Sequence, residues 1–315
     1  LQKLANFHRK KINAKIIAIT GSNGKTTTKE LLYNVFKSRY NTICTIGNLN
    51  NHIGVPLSLL SIRTDTEIAV IEMGASSLGE IKLLCDIAEP NFGYITNFGK
   101  AHIEGFGSES KVLEGKSELY NYLRSNNGTI FFNLDDNKQK NLLENYDKKF
   151  SFGLNSKFCE YKLCSVNESI IITTENENIS SSLYGKYNVD NIMAAVCIGK
   201  YFKISINSIS EGISNYIPKN NRSEMIKRKS NTVLLDAYNA NPSSMYVSIK
   251  NFIKTNFKNK VLILGDMYEL GVDELKYHQE ITDYCQSSNI EKIILIGKIF
   301  SNTNNSEKFI KYDSV

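Results

Sequence analysis

A glycine-rich segment near the start of the chain carries the residue types that bind phosphate groups. Residues 20–26 read Thr-Gly-Ser-Asn-Gly-Lys-Thr. In such a loop the backbone N–H groups bind phosphate oxygens, the lysine reaches the outer phosphates, and the last hydroxyl reaches Mg2+. The common loop has its first glycine at the position of Ile19, so this version is shorter. The segment predicts ATP binding by Gly21, Ser22, Asn23, Gly24, Lys25, Thr26 and Thr27.

The sequence around this loop favours ATP chemistry over a chance glycine turn with an ordinary surface lysine. Residues 16–19 form a short apolar run, typical of a strand buried on both faces. Residues 31, 32, 35 and 36 are apolar and recur at helical spacing. Strand, glycine turn and helix is the order that a phosphate loop requires, because the positive helix end faces the phosphates.

Polar residues at other predicted strand ends indicate a metal site beside the loop. Glu72 and Asn97 each end a predicted strand, and His102 follows in a short loop. Ligands of open α/β sheets gather at the carboxyl ends of the strands. A carboxylate, an imidazole and the Thr26 hydroxyl suit a Mg2+ ion shared with nucleotide phosphates. Taken singly, the glutamate is equally well explained as a helix cap or ion pair, and the histidine as structural.

Short apolar strands alternate with helical segments, which predicts parallel sheets flanked by helices. A Ser/Thr/Asn-rich stretch between Lys148 and Leu183 predicts an antiparallel meander appended to the first sheet, and Ile192–Tyr201 predicts a helix. The predicted strands of the alternating pattern are Ile16–Thr20, Ile68–Met73, Gly93–Asn97, Thr129–Asn133, Thr232–Asp236, Lys260–Leu264 and Lys292–Ile296.

This pattern predicts an α/β protein of two domains. A break at residues 215–224 holds a proline and an Asn pair, and we place the boundary there. Residues 1–217 are predicted to form a central ATP-binding domain, like a P-loop ATPase, with a mostly parallel sheet. Residues 218–315 are predicted to form a smaller, Rossmann-like α/β domain.

Composition excludes several other classes of protein. The 315 residues are 41% hydrophobic and 22% charged, which is ordinary for a soluble protein. The net charge of +6 comes with only short basic clusters, so we expect no nucleic-acid partner. Six cysteines lack any C-x-x-C pair, which indicates reduced thiols in the cytoplasm. No apolar run approaches membrane-spanning length, so we expect no membrane association, and we expect a monomer.

Seven motifs in order resemble the Mur ligase family of ADP-forming amide ligases, from about residue 4 to 300. They are AITGSNGKTTTKELL, TIGNLNNHIGVPLSLL, AVIEMGASSLGEI, ITNFGKAHIEGFGS, GKYNVDNIMAAV, LLDAYNANPSSM and ILGDMYELG. Residues 236–242 read DAYNANP, where folylpolyglutamate synthases and the ligases that add diaminopimelate or lysine carry a D-x-A-H-like stretch. Folylpolyglutamate synthases also carry E-V-G where this chain reads Glu-Met-Gly-Ala at residues 72–75.

The resemblance implies a reaction. ATP would phosphorylate the terminal carboxylate of UDP-N-acetylmuramoyl-tripeptide, and the amine of D-alanyl-D-alanine would attack the acyl phosphate, in peptidoglycan precursor synthesis. Lys25, Glu72, His102 and Lys116 are the implied catalytic residues. Thr26 and Glu72 would bind a first Mg2+, and His102 and Lys116 a second. Lys116 would be carbamylated, since an unmodified lysine has no acceptor for a metal. Without the resemblance, Lys116 would be interpreted as a solvated helix residue.

The resemblance also implies binding roles for residues elsewhere in the chain. Asn191 would contact adenine, Arg222 would reach ATP from the last domain, and Asp236 would lie near the ribose. Residues of the loop facing the muramoyl-peptide and of the domain receiving the dipeptide complete the predicted substrate set, which comprises Asn48, Asn50, Asn51, Asp266 and Glu269.

The chain departs from the family pattern at both ends. It has no counterpart of the family's uridine-binding domain, and its last domain spans only about 95 residues beyond the boundary. Either it is part of a larger chain or the protein has lost autonomy. Two other functions stay open: a sister amide ligase with a different amino acid, including the folylpolyglutamate type, and a non-catalytic ATP-binding module.

Overall fold

The computed structural model describes residues 1–166, 169–219, 221–304 and 306–314. A 3-10 helix covers Gly271–Asp273. The helices are α1 (Gln2–Arg9), α2 (Lys25–Phe36), α3 (Gly54–Leu60), α4 (Glu80–Ala88), α5 (Ile103–Phe106), α6 (Glu109–Ser125), α7 (Asn137–Leu142), α8 (Asn188–Tyr201), α9 (Ile206–Ser214), α10 (Pro242–Ile253), α11 (Glu274–Gln286) and α12 (Lys298–Ser301). Within these described ranges, no helix is both long and apolar enough to cross a membrane.

In the part of the chain that the structure describes, fifteen strands form four sheets. The strands are β1 (Lys15–Thr20), β2 (Thr42–Cys44), β3 (Ile68–Glu72), β4 (Phe92–Ile95), β5 (Thr129–Asn133), β6 (Lys149–Gly153), β7 (Cys159–Glu160), β8 (Lys162–Val166), β9 (Ile170–Thr174), β10 (Glu177–Ser181), β11 (Glu224–Arg228), β12 (Asn231–Leu235), β13 (Val261–Gly265), β14 (Lys292–Ile296) and β15 (Phe309–Tyr312).

Two compact units divide the chain. The first comprises Leu1–Phe98 and Leu113–Pro218, and the second comprises Gly99–Val112 and Lys219–Val315. The second unit therefore takes a short segment from the middle of the chain, which holds α5 and the start of α6. The predicted domain boundary after residue 217 stays a prediction.

The first unit is built on a seven-stranded parallel sheet in the order β2-β3-β1-β4-β5-β6-β7. Strand β1 lies between β3 and β4, where the strand order reverses, and such a reversal opens a crevice at the carboxyl ends of the strands. Alternate residues of β1, such as Ile17 and Ile19, pack into a core with α2 and the almost entirely buried α8. Buried on both faces, β1 fixes where the phosphate loop begins.

The stretch predicted as one meander divides in the structure. Strands β6 and β7 pair parallel with the main sheet, and only β8, β9 and β10 form an antiparallel sheet. The prediction of a meander from Lys148 was therefore wrong at its start. A Ser/Thr/Asn-rich composition does not specify strand direction, which depends on the partner strand.

The second unit holds a parallel sheet in the order β13-β14-β15, which shares one core with α10, α11 and α12. Its core contains Leu264, Leu295, Ile281 and Phe300. Strand β12 was predicted as part of a parallel sheet, but it pairs antiparallel with β11 in a separate hairpin. The two-residue connection between them explains the difference, because a hairpin needs only a tight turn whereas a parallel pair needs a long crossover.

Candidate active site

The phosphate loop joins β1 to α2 through two glycines that the geometry requires. Gly21 has φ +135° and Gly24 has φ +80°, a region that disfavours other residues. A Cβ on Gly21 would lie 2.0 Å from Oγ1 of Thr96, and one on Gly24 would lie 2.4 Å from Oδ1 of Asn191. Both positions therefore need glycine for space as well as for conformation. This fits a loop whose backbone N–H groups approach a phosphate closely.

Asn97 holds the middle of this loop. Ser22 N donates to the Asn97 carbonyl at 3.0 Å, and Asn23 N donates to Asn97 Oδ1 at 3.2 Å. Asn97 Nδ2 in turn donates to the Asn23 carbonyl at 3.0 Å. The residue that ends the predicted strand thus acts as a structural clamp on the loop.

Lys25 begins α2 and its side chain returns to the loop that precedes it. Nζ donates to the carbonyl oxygens of Gly21 at 2.7 Å and Ser22 at 3.1 Å. The ammonium group is therefore held at the same turn as the loop N–H groups. Positive charge at this place is what stabilises a transferred phosphoryl group.

Glu72 lies at the end of β3 and joins two predicted site residues. Its side chain is 1% exposed; Oε2 accepts from Thr26 Oγ1 at 2.9 Å, and Oε1 accepts from Asn50 Nδ2 at 2.8 Å. A carboxylate beside a threonine hydroxyl supplies the hard oxygen donors that Mg2+ prefers when phosphates complete its coordination. The donor set therefore fits the implied metal. Among the described residues, no three His, Cys, Asp or Glu side chains form a metal-binding group of their own.

Lys29 belongs to the same cluster but was not predicted from the sequence. Its side chain is completely buried on α2, and Nζ lies 3.8 Å from Oε2 of Glu72. A signal was present in the sequence, because residues three apart on a helix share a face and Lys29 follows Thr26 by three.

Lys116 lies on α6 and is buried, so its interpretation as a solvated helix residue was wrong. Nζ donates at 2.9 Å to the carbonyl of Ala75, which lies three residues after Glu72, the last residue of β3. Burial, assisted by the positive charge of Lys25, lowers the pKa of Lys116 well below its usual value. Nearby carboxylates, including Glu118, oppose this shift. Lowering the pKa favours the uncharged amine, the form that reacts with CO2.

Glu118 lies two residues beyond Lys116, and its carboxylate is engaged at the start of α4. Oε1 accepts from Gly79 N at 2.6 Å and Oε2 accepts from Lys82 N at 2.8 Å. The helix N-terminus has four N–H groups without intrahelical partners, and this side chain satisfies part of that need. Glu118 therefore caps α4. Residues two apart on a helix do not share a face, which is consistent with this separate role.

Asn191 begins a buried chain of amides behind the phosphate loop. Its Oδ1 accepts from Thr28 Oγ1 at 3.1 Å, and its Nδ2 donates to Asn188 Oδ1 at 2.8 Å. Asn188 Nδ2 donates to the Tyr184 carbonyl at 2.7 Å. These bonds orient the Asn191 amide; its contact with adenine stays a prediction.

The loop after β2 carries the three asparagines predicted to face the muramoyl-peptide. Asn48 is exposed, whereas Asn50 contacts Glu72. Asn51 Oδ1 accepts from Ile53 N at 3.0 Å and Gly54 N at 2.9 Å, which caps α3. Asn48 and Asn51 both lie at the surface of the first unit, whereas Asn50 is half-buried, and the substrate roles of all three stay predictions.

In the second unit, the structure brings His102 together with Glu269. His102 Nδ1 forms a very short contact with Glu269 Oε2, and the backbone of Glu104 donates to the Glu269 carbonyl at 3.2 Å. Both His102 and Glu269 have positive φ, which places them in tight turns. Glu72 and Lys116 belong to the first unit, so the metal role of His102 stays a prediction.

The other predicted residues of the second unit lie at two further places. The Arg222 guanidinium lies 3.5 Å from the centroid of the Tyr238 ring, and Asp236 Oδ1 accepts from Ser223 N at 3.1 Å. Asp266 is engaged structurally, because its two oxygens accept from Ile299 N at 3.0 Å and from the next backbone N–H at 2.9 Å. Asp266 thereby orients the start of α12, and its predicted dipeptide contact is untested.

A parallel sheet with a glycine loop between an interior strand, β1, and the helix α2 defines a P-loop nucleotide-binding fold. Residues 19–199 match the Mur ligase middle domain, and residues 221–311 match the Mur ligase, glutamate ligase domain. The first match alone covers more than half of the chain. The chain belongs to the Mur ligase family, which confirms the resemblance and the predicted fold class.

Individual relatives support this placement. A UDP-N-acetylmuramoyl-tripeptide–D-alanyl-D-alanine ligase of Bacillus subtilis is 36% identical over 306 residues, covering 95% of this chain and 66% of the Bacillus protein. A crystal structure of MurF from Acinetobacter baumannii matches with a TM-score of 0.90 at 28% identity, covering 98% of this chain and 70% of that one. MurF ligase from Thermotoga maritima, solved in complex with ADP, matches with a TM-score of 0.87 at 28% identity, covering 99% and 74%. The chain thus spans about two thirds of the length of the curated relatives it matches.

Proposed function

We propose that this chain carries the ATP site of an ADP-forming ligase that joins D-alanyl-D-alanine to UDP-N-acetylmuramoyl-tripeptide. The observation that carries this proposal is the buried Lys116 and its lowered pKa. A protein that only binds ATP has no use for a buried lysine whose surroundings lower its pKa and so favour the uncharged, reactive amine. The names of its relatives point to the same reaction. The proposed reaction would serve peptidoglycan precursor synthesis in the cytoplasm.

The phosphate loop and Lys25 would bind ATP and neutralise charge on the phosphoryl group as it moves to the tripeptide carboxylate. Thr26 and Glu72 would hold a Mg2+ ion, which supplies further positive charge to the phosphates when bound. The neutral amine of Lys116 would form an N–C bond with CO2 and lose a proton, giving an anionic carbamate. The carbamate oxygens of Lys116 and the imidazole of His102 would hold a second metal ion.

Domain roles follow the same proposal. Residues 1–217 would form the central ATP-binding domain, with Asn191 at adenine and the loop of Asn48 toward the muramoyl-peptide. Residues 218–315 would receive the dipeptide through Asp266 and Glu269. The second domain would also supply Arg222 and Asp236 to ATP, and the protein would act as a monomer.

An ADP-release assay tests the reaction. The protein is incubated with ATP, Mg2+ and UDP-N-acetylmuramoyl-tripeptide, and D-alanyl-D-alanine is compared with D-alanine, L-lysine, diaminopimelate and L-glutamate. We expect ADP release only with the dipeptide, together with a product whose mass equals both substrates minus water. Release with a single amino acid would identify a sister ligase instead. ATP binding without release for any acceptor would favour a non-catalytic module.

A further inference from the structure

The buried ammonium of Lys29 is surrounded by oxygens from three parts of the first unit. Nζ donates to the carbonyls of Thr45 at 2.7 Å and Gly47 at 3.1 Å. It also forms ion pairs with Glu30 at 3.1 Å and Glu72 at 3.8 Å. Lysines are almost never fully buried without partners, because burying an unpaired charge is costly. This set of oxygens therefore offsets the cost of burying the Lys29 ammonium.

These contacts connect the carboxylate of Glu72 to the loop that follows β2. Glu72 N donates to Thr45 Oγ1 at 3.0 Å, and Asn50 Nδ2 donates to Glu72 Oε1 at 2.8 Å. The Asn50 carbonyl accepts from Gly74 N at 2.8 Å. Lys29 therefore lies at the centre of a closed set of bonds between α2, the end of β3 and the loop of residues 45–50.

We propose that Lys29 is a positioning residue that holds the Glu72 carboxylate in a metal-binding orientation. It does so by fixing the carbonyls of Thr45 and Gly47, and with them the loop from which Asn50 reaches Glu72. The three donors of the ammonium match the three oxygens within 3.1 Å, which belong to Thr45, Gly47 and Glu30. The Glu72 carboxylate lies farther away, at 3.8 Å. The inference rests on the proposed function, since it takes Thr26 and Glu72 as the magnesium ligands.

Positioning and plain charge balance predict opposite effects on the metal. If Lys29 acted only as a nearby positive charge, its removal would strengthen the attraction between Glu72 and Mg2+. If Lys29 positions Glu72, its removal lets the carboxylate and the loop reorient, and magnesium binding weakens. If Lys29 only fills the core, its removal lowers the melting temperature and leaves magnesium binding unchanged.

Calorimetry on Lys29→Met separates these possibilities. ADP is titrated into the protein with Mg2+ and, separately, with EDTA, and the ratio of the two affinities gives the magnesium contribution. We expect this contribution to fall about 10–100-fold, the usual effect of removing a partner of a metal ligand, while ADP affinity in EDTA is retained. The matched control is Lys37→Met. Lys37 is an exposed lysine directly after α2, so its replacement should change neither affinity.

A magnesium contribution that is unchanged or larger in Lys29→Met would overturn the inference. If that variant does not fold, Lys29→Gln is the second variant: its shorter side chain cannot reach all of these acceptors, so a smaller loss of the magnesium contribution in the same direction is expected. Amide hydrogen exchange gives an independent readout, with faster exchange expected at residues 45–51 than in the wild type. If the ADP affinity of the wild-type protein is the same with Mg2+ and with EDTA, the proposed function itself is contradicted. The wild-type measurement therefore distinguishes failure of the proposed function from failure of the Lys29 inference.

Discussion

The predicted site residues of the two units differ in how firmly they are held. In the first unit, Glu72 and Lys116 are buried and each has hydrogen-bond partners in the fold. In the second unit, the Glu269 side chain is 57% exposed and contacts the partly exposed His102. Groups that must stabilise charge during a reaction act best when they are oriented beforehand in a water-poor place. By this criterion, the Glu72 and Lys116 positions of the first unit are preformed, whereas the His102–Glu269 pair of the second unit is open to water.

Preorganisation of this kind has a cost in stability. A buried lysine is less easily protonated in the folded chain than in the unfolded chain, and a buried carboxyl is less easily ionised. Lys116 shows the first effect and Asp190, at the start of α8, shows the second. The first unit should therefore contain side chains whose removal lowers activity yet raises stability, whereas the exposed pair of the second unit should not.

The largest effect is expected for the phosphate loop. Lys25→Ala removes positive charge from the transferred phosphoryl group, so ADP release should fall at least about a hundredfold. Because the two carbonyls that accept from Lys25 Nζ belong to the loop itself, the melting temperature should change little. Lys37→Ala, an exposed lysine, is the control. Near-normal ADP release by Lys25→Ala would mean that the loop is not catalytic.

Lys116 should show opposite effects on activity and stability. Lys116→Ala should lose ADP release, and short carboxylic acids such as acetate should partly restore it by supplying the missing oxygen ligand. Since the pKa of Lys116 is lowered, its contribution to stability is lost as pH falls from the usual lysine pKa toward the lowered value. Lys116→Met should therefore melt at or above the wild-type temperature at pH 8.

Two results would count against a carbamylated Lys116. One is full activity of Lys116→Ala without added acid. The other is a Lys116→Met protein that melts well below the wild type, which would indicate a lysine needed for folding. A crystal grown with bicarbonate gives the direct test, because the carbamate would appear as extra density on Nζ.

Asp190 tests the cost of burial without touching the predicted catalytic residues. Burial, with added negative charge from Asp135 and Asp136, raises the pKa of Asp190 to about 6. A carboxyl whose pKa is raised in the folded chain contributes its full stability at pH values below its pKa in the unfolded chain, about 3.9. This contribution is lost as the pH rises through about 6, its pKa in the folded chain. Asp190→Asn should therefore increase the unfolding free energy at pH 8 by up to about 3 kcal/mol.

The gain from Asp190→Asn should shrink as the pH of a denaturant titration is lowered from 8 toward 4.5. Asp65→Asn removes an exposed carboxylate and serves as the control, with little change at either pH. An Asp190→Asn variant that is less stable than the wild type at pH 8 would show that the charged form has a favourable partner.

The sequence identifies the first site better than the second, for physical reasons. Strand β1 and the glycine loop are encoded by local sequence patterns, and few other structures fit an apolar run followed by glycines. Its helical spacing from Thr26 places Lys29 on the same face as the loop. Its burial, however, depends on the carbonyls of Thr45 and Gly47, which are distant along the chain and cannot be inferred from the helix. The pairing of His102 with Glu269 joins two turns still farther apart. The β11–β12 hairpin shows the same limit, since one strand's composition does not name its partner.

The smallest effect is expected for the exposed pair of the second unit, and an isosteric change in each unit gives the comparison its sharpest form. Glu269→Gln removes a charge that water already solvates, so the unfolding free energy should change by less than about 1 kcal/mol. Glu72→Gln removes a charge beside the buried Lys29 and should cost about 3 kcal/mol. Urea titrations at low and high salt measure both. The Glu269 effect should shrink further in salt, because exposed charges are screened and buried ones are screened much less. Equal losses of unfolding free energy for the two variants would contradict this difference. They would mean that the His102–Glu269 pair stabilises the second unit as much as the Glu72 cluster stabilises the first unit.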